Sequence, residues 1–117
     1  MSITSKEFKK LFQKKRKNKY NSVRTVVDGY SFDSKKEAEY FQLLKLRQKD
    51  GDIKYFLRQI PFHLSADPKV TYRCDFAIIE NDNTITFWEV KGYITDAAKV
   101  KIAMTEKLYG VKINIVW

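Results

Sequence analysis

Apolar and polar positions along the chain alternate between two periods, and the change of period marks its elements. In "SKKEAEYFQLLKLRQKDG", Ala38, Phe41 and Leu44 recur at helical spacing. This predicts a helix that Ser34 caps and Gly51 ends. A second helix is predicted over 96–109, "DAAKVKIAMTEKLY", with Thr95 as its cap and Gly110 as its stop. Near the N-terminus, Thr4 and Glu7 form a capping box ahead of a short helix bearing Phe8, Leu11 and Phe12, which "KKRKNKYNS" breaks off. Elsewhere the pattern is that of strands. "VRTVVDGYSF" reads as two short strands around a turn at Asp28-Gly29. Strands are expected at about 53–60 and 61–65, interrupted by Pro61, with a turn at Asp67-Pro68. "TYRCDFAIIE" and "TITFWEVK" flank "NDN" as a hairpin, and "VKINIVW" is a last strand. After the N-terminal arm the order is α-β-β-β-α-β, an α/β fold. Its last β-α-β step should cross over right-handed and make two parallel strands within a mixed sheet.

Composition narrows the class. A chain of 117 residues suits one core, and 44% hydrophobic with 15% aromatic residues is unlike a disordered protein. No apolar stretch approaches the roughly 18–20 residues that cross a bilayer, and the N-terminus lacks the apolar region of a secretory signal. Cys74 is alone, so neither an intrachain disulfide nor a multi-cysteine zinc site forms. A cytoplasmic protein without a membrane partner is the expectation.

Charge adds more, through its placement. The net charge is +9, and residues 1–24 carry nine Lys and Arg against Glu7 alone. A basic arm (1–24), including Lys14, Lys15, Arg16, Lys17, Lys19 and Arg24, therefore precedes a nearly neutral domain (25–117). Such an arm suits a polyanion, with nucleic acid ahead of a membrane surface and a solubilising tail as the plain alternative.

Chemistry concentrates in "ITFWEVKG", where Glu89 and Lys91 interrupt an apolar strand just before Gly92. If "NDN" is a three-residue loop, Glu80 pairs with Thr84, and the same register sets Asp75 opposite Glu89. Alternation then puts Asp75, Ala77 and Ile79 on one face with Ile85, Phe87, Glu89 and Lys91. A one-residue slip would move Asp75 to the other face. Two neighbouring carboxylates in a partly buried place repel unless a positive charge lies between them. Lys91 supplies one charge; Mg²⁺ supplies two and prefers carboxylate oxygens. Metal, lysine and polyanion-binding arm together point to phosphodiester hydrolysis. Glu37 or Glu39 on the first helix offers a third carboxylate, although Ser34-x-x-Glu37 is itself a capping box. Gln59, in "LRQIPF", either faces the same site or is a surface glutamine.

Asp75 followed by Glu89-Val90-Lys91 resembles the D…(D/E)-x-K signature of the PD-(D/E)XK nuclease superfamily, whose core order α-β-β-β-α-β matches residues 34–117. More narrowly, "VDGYSFDSKKEAEYFQLLKLRQKDGDI", "RQIPF", "YRCDFAI" and "EVKG" resemble a family of small, mostly phage-borne endonucleases related to Holliday-junction resolvases. The likeness covers residues 18–117, with Cys74 where the signature has proline. It implies a restriction-endonuclease-like core and metal-dependent DNA cleavage, in the host cytoplasm for a phage protein. Asp75 and Glu89 would be Mg²⁺ ligands, with Mn²⁺ able to substitute. Lys91 would activate water or stabilise charge, Glu37 would be the helix-borne acid, and Gln59 would stand beside the metal.

Among the other residues, lone His63 and Cys74 are read as structural, and Phe56, Phe62, Phe76, Trp88 and Trp117 as core. Arg73 either touches phosphate or faces solvent, and Tyr93 either stacks on an unpaired base or packs. No separate module is left to read base edges, so branched or junction DNA is the expected substrate. Two cuts at a junction imply a homodimer, with Phe8, Leu11 and Phe12 as a candidate contact. The competing reading is a non-catalytic DNA-binding protein whose Glu89 and Lys91 form a strand-end ion pair.

Overall fold

The computed structural model of the chain describes residues 24–117, which form two compact units, residues up to 42 and residues 43–117. The expected N-terminal helix with Thr4, Glu7, Phe8, Leu11 and Phe12 lies outside the described residues, as do Lys14, Lys15, Arg16, Lys17 and Lys19.

In the first unit, β1 (Thr25–Val27) and β2 (Tyr30–Phe32) pair antiparallel around Asp28 and Gly29. Both turn residues are left-handed, with φ of 52° and 83°, as a two-residue hairpin turn that follows the strand twist requires. Helix α1 (Lys35–Lys49) begins where the Ser34 hydroxyl accepts the Glu37 N–H at 3.0 Å, so the predicted cap forms. Phe32, Ala38 and Phe41 are buried, and the Phe41 ring lies 5.1 Å from Phe32 and 5.6 Å from Tyr30. The helix continues to the second unit and ends before Gly51, whose φ of 82° only glycine adopts freely. There the Asp52 N–H returns to the Arg47 carbonyl at 2.9 Å.

The second unit is built on a four-stranded mixed sheet, in the order β3-β4-β5-β6. Strands β3 (Tyr55–Ala66), β4 (Lys69–Ile79) and β5 (Ile85–Val90) run antiparallel, and β6 (Ile113–Val116) is parallel to β5. Helix α2 (Asp96–Tyr109) makes the crossover. The Thr95 hydroxyl caps it by accepting the Ala98 N–H at 3.1 Å, and left-handed Gly110 closes it with a bond to the Glu106 carbonyl. Glu106 also accepts the Ile113 N–H at 2.8 Å, tying the helix end to the last strand. An α/β architecture with two described helices and a mixed sheet is thus what the periodicity foretold. No described helix is long and apolar enough to cross a membrane.

Two expectations fail. The residues at 53–60 and 61–65 are not two strands broken at Pro61, because Tyr55–Ala66 is one strand in which Pro61 pairs with Arg73. β3 is the edge of the sheet, the place where a strand tolerates a residue without an N–H. Trp117 is not core: it is exposed, whereas Phe62 and Phe76 are buried and Phe56 and Trp88 half-buried.

Strict alternation also lapses in the long β3–β4 ribbon. It would set Tyr72 and Cys74 on the face of Phe76. Instead Phe62, Tyr72, Cys74 and Ile113 form one core cluster with Phe87, the neighbour of Ala77. The ribbon exchanges faces between the pairs Arg58↔Phe76 and Ile60↔Cys74 without changing register. Gln59 lies at the exchange with a φ of 54°, left-handed backbone that costs a non-glycine residue on the order of 1 kcal/mol or more. Helix α2 packs on the resulting cluster through Ile102 and through Tyr109, whose ring is 5.0 Å from Phe62 and whose hydroxyl donates to the His63 carbonyl. Burial of each large apolar side chain here contributes about 1.5–3 kcal/mol.

Candidate functional site: a buried carboxylate pair at the end of two strands

The β4–β5 loop sets the site. Residues 81–83 form a three-residue turn closed by left-handed Asn83, whose N–H donates to the Glu80 carbonyl at 2.9 Å. The Glu80 N–H then bonds the Thr84 carbonyl at 2.8 Å, which starts the register that runs to Phe76↔Trp88. Asp82 buttresses the turn by accepting the Thr84 hydroxyl at 2.6 Å, a bond that holds its carboxyl below the ordinary aspartate range.

One position past Phe76↔Trp88 stand Asp75 and Glu89, where regular pairing has stopped. The Val90 N–H donates to Asp75 Oδ2 at 2.8 Å, so a side chain does the work of a ladder carbonyl. Asp75 is 5% and Glu89 3% exposed. Lys91 Nζ lies 3.4 Å from Glu89 Oε2, with its own side chain 38% exposed. The Tyr72 hydroxyl donates to the other oxygen, Glu89 Oε1, at 2.8 Å. The Gln59 side chain hydrogen-bonds Asp75 from β3.

Electrostatics follow from this crowding. Burial pushes the Asp75 carboxyl up to about 6, the Glu89 charge adds to the rise, and the Val90 N–H, Lys91 and Gln59 oppose it. Burial likewise raises the Tyr72 hydroxyl, with Cys74 and Glu89 adding to the effect, so it remains a proton donor. Cys74 is pushed up to about 11, chiefly by burial, and its Sγ sits 3.4 Å from the Trp88 carbonyl: a core thiol, as expected, with little thiolate at neutral pH. Among the described residues, no three His, Cys, Asp or Glu side chains converge as a ligand group.

Of the residues singled out in the sequence, Asp75, Glu89, Lys91 and Gln59 come together. Glu37 belongs to the first unit, where it is 5% exposed, while Glu39 is exposed. The Glu37 N–H donates the predicted cap bond to the Ser34 hydroxyl. Arg73 is exposed and directs Nη1 to the Gln59 carbonyl at 3.5 Å. Tyr93, two residues beyond Lys91, is 77% exposed, and Arg24 pairs with Asp33 at 3.2 Å. His63 is exposed, with Nδ1 3.4 Å from the Thr71 hydroxyl. Sequence reasoning missed Tyr72, because alternation assigns it to the face away from Glu89. The one signal was a polar-tipped ring three residues before Asp75, on a strand otherwise rich in buried positions.

Residues 17–117 match the profile of one family, described as a protein of unknown function, DUF1064. No curated protein and no solved structure matches the chain.

Proposed function

The chain belongs to the DUF1064 family of unknown function, and from the geometry of its carboxylate site we propose that it is a metal-dependent DNA endonuclease with a restriction-endonuclease-like core of the PD-(D/E)XK kind. The observation that carries this reading is the pairing of two buried carboxylates, Asp75 and Glu89, beside a half-exposed lysine at a strand end. Two like charges in a low-dielectric place are costly, and one lysine on Glu89 leaves Asp75 strained upward to about 6. A divalent cation would relieve both.

The donor set fits Mg²⁺ or Mn²⁺. A hard ion takes one or two protein carboxylates and completes its shell with water and substrate phosphate, so a third converging acid is not required. Asp75 and Glu89 would hold the ion, which would supply positive charge against the phosphate and a more acidic water. Glu37, in the first unit, is proposed as the helix-borne acid on the resemblance of its motif alone. Lys91, tethered through Glu89 yet open to solvent, is suited to orient the attacking water or to offset charge on the phosphate oxygens. Gln59 steadies Asp75, and its left-handed backbone is strain of the kind that collects at functional sites. Exposed Arg73 and Tyr93, with Arg24 and the basic arm, would meet the DNA. The substrate proposed is branched or junction DNA, as in phage recombination, cut by a homodimer in the host cytoplasm.

A second reading rests on the 3.4 Å contact itself: Glu89 and Lys91 as a structural ion pair in a non-catalytic DNA-binding protein. Cleavage of end-labelled junction and linear duplex, with Mg²⁺ and with EDTA, separates the two. Cutting that needs Mg²⁺ and is lost in Glu89→Ala is expected. No metal-dependent cutting of any substrate would sink the nuclease, while equal cutting of both substrates would remove only the junction preference.

A further inference from the structure

Glu89 is held from two sides, and the second side was not foreseen. Tyr72 reaches Oε1 at 2.8 Å from a ring that is 5% exposed, while Lys91 faces Oε2. The ring is itself immobilised. It stacks on Phe62 at 6.2 Å and 18°, and Phe62 is fixed edge-on by Phe87 at 5.2 Å and by Tyr109 of α2 at 5.0 Å. A packed chain thus runs from the crossover helix through Phe62 to the Glu89 carboxylate.

We propose that Tyr72 is a positioning residue for Glu89, whose hydroxyl fixes one carboxylate oxygen and so aims the other toward Asp75 and Lys91, where a divalent cation would bind. The proposal rests on the metal-dependent reading of the site and adds a residue to it. Without the hydroxyl, Glu89 has no buried donor among the described residues to set against Lys91. Its carboxylate then swings toward the ammonium and closes into a two-membered ion pair, a poorer ligand. Partners of this outer kind change metal affinity by about 10–100-fold when removed.

The experiment is a titration of Mn²⁺ into the full chain, read as the shift of thermal unfolding, in wild type, Tyr72→Phe and Tyr109→Phe. Phenylalanine keeps the stacked ring. Tyr109→Phe deletes a hydroxyl bonded to the His63 carbonyl and serves as the control for losing any such bond. Tyr72→Phe should raise the Mn²⁺ midpoint about tenfold or more, with Tyr109→Phe unchanged. Phe62→Leu, which loosens the stack and leaves the hydroxyl, should shift the midpoint the same way by less. Equal midpoints for wild type and Tyr72→Phe, or equal shifts in both tyrosine variants, would overturn the positioning role and leave the nuclease reading standing. A wild type that shows no response to Mn²⁺ would overturn both.

Discussion

Asp75→Asn is expected to reduce DNA cleavage about a thousandfold or more, yet to stabilise the metal-free protein at pH 7. The loss follows from removing one of two charges that hold the cation and align the phosphate, an interaction made chiefly for the transition state. The gain follows from linkage. The folded-state carboxyl sits at about 6 against an ordinary 3.8, so the folded protein binds this proton more tightly than the unfolded chain. Both states are protonated well below pH 4. Between about 4 and 6 the unfolded chain releases its proton first, and this residue's contribution to stability falls as pH rises. The full cost is reached above about pH 6 and is on the order of 3 kcal/mol at most. Asparagine carries no charge, and its side-chain oxygen still accepts the Val90 N–H. The variant should therefore melt several degrees higher than wild type at pH 7, and the difference should vanish near pH 4. Added Mg²⁺ should raise the melting temperature of wild type and leave Asp75→Asn unmoved. A variant that melts lower at pH 7 would make Asp75 a structural strand cap, with Val90 as its purpose.

Removing residues 1–19 should weaken DNA binding steeply and flatten its salt dependence. The deletion takes away eight Lys and Arg with Glu7 and lowers the net charge from +9 to +2. If about half of those cations meet phosphates, the slope of log affinity against log salt should fall in magnitude by about 3–4. At moderate salt the affinity loss should be about 10–1,000-fold. Cleavage of DNA already bound should change far less, because Asp75, Glu89 and Lys91 lie in the second unit. Unchanged affinity and slope would show that the arm does not bind the polyanion.

Both experiments bear on how much of the molecule the sequence exposes. Local signals carried the elements: Ser34 and Thr95 cap their helices, and Gly51 and Gly110 end them where left-handed backbone is needed. The loop "NDN" was enough to pair Glu80 with Thr84 and so to set Asp75 beside Glu89. Hairpin register is a short-range property of turn length, hence readable. Features that depend on position within the sheet were hidden. Pro61 breaks a strand only if both sides of that strand are bonded, and nothing local says that β3 is an edge. The face exchange at Gln59 depends on one left-handed residue that no propensity favours, and it carries Tyr72 from the wrong face to the Glu89 carboxylate. The charged centre was thus legible and the support that aims it was not.

The claim that Asp75 and Glu89 are paired for the sake of a cation is tested most directly by locating one. Anomalous diffraction at the manganese edge, from crystals grown with Mn²⁺, is predicted to show a peak at the Asp75 and Glu89 carboxylates, with Tyr72 still bonded to Glu89. Crystals that carry Mn²⁺ in their solvent but show no peak there, with Glu89 held by Lys91 and Tyr72 alone, would contradict it.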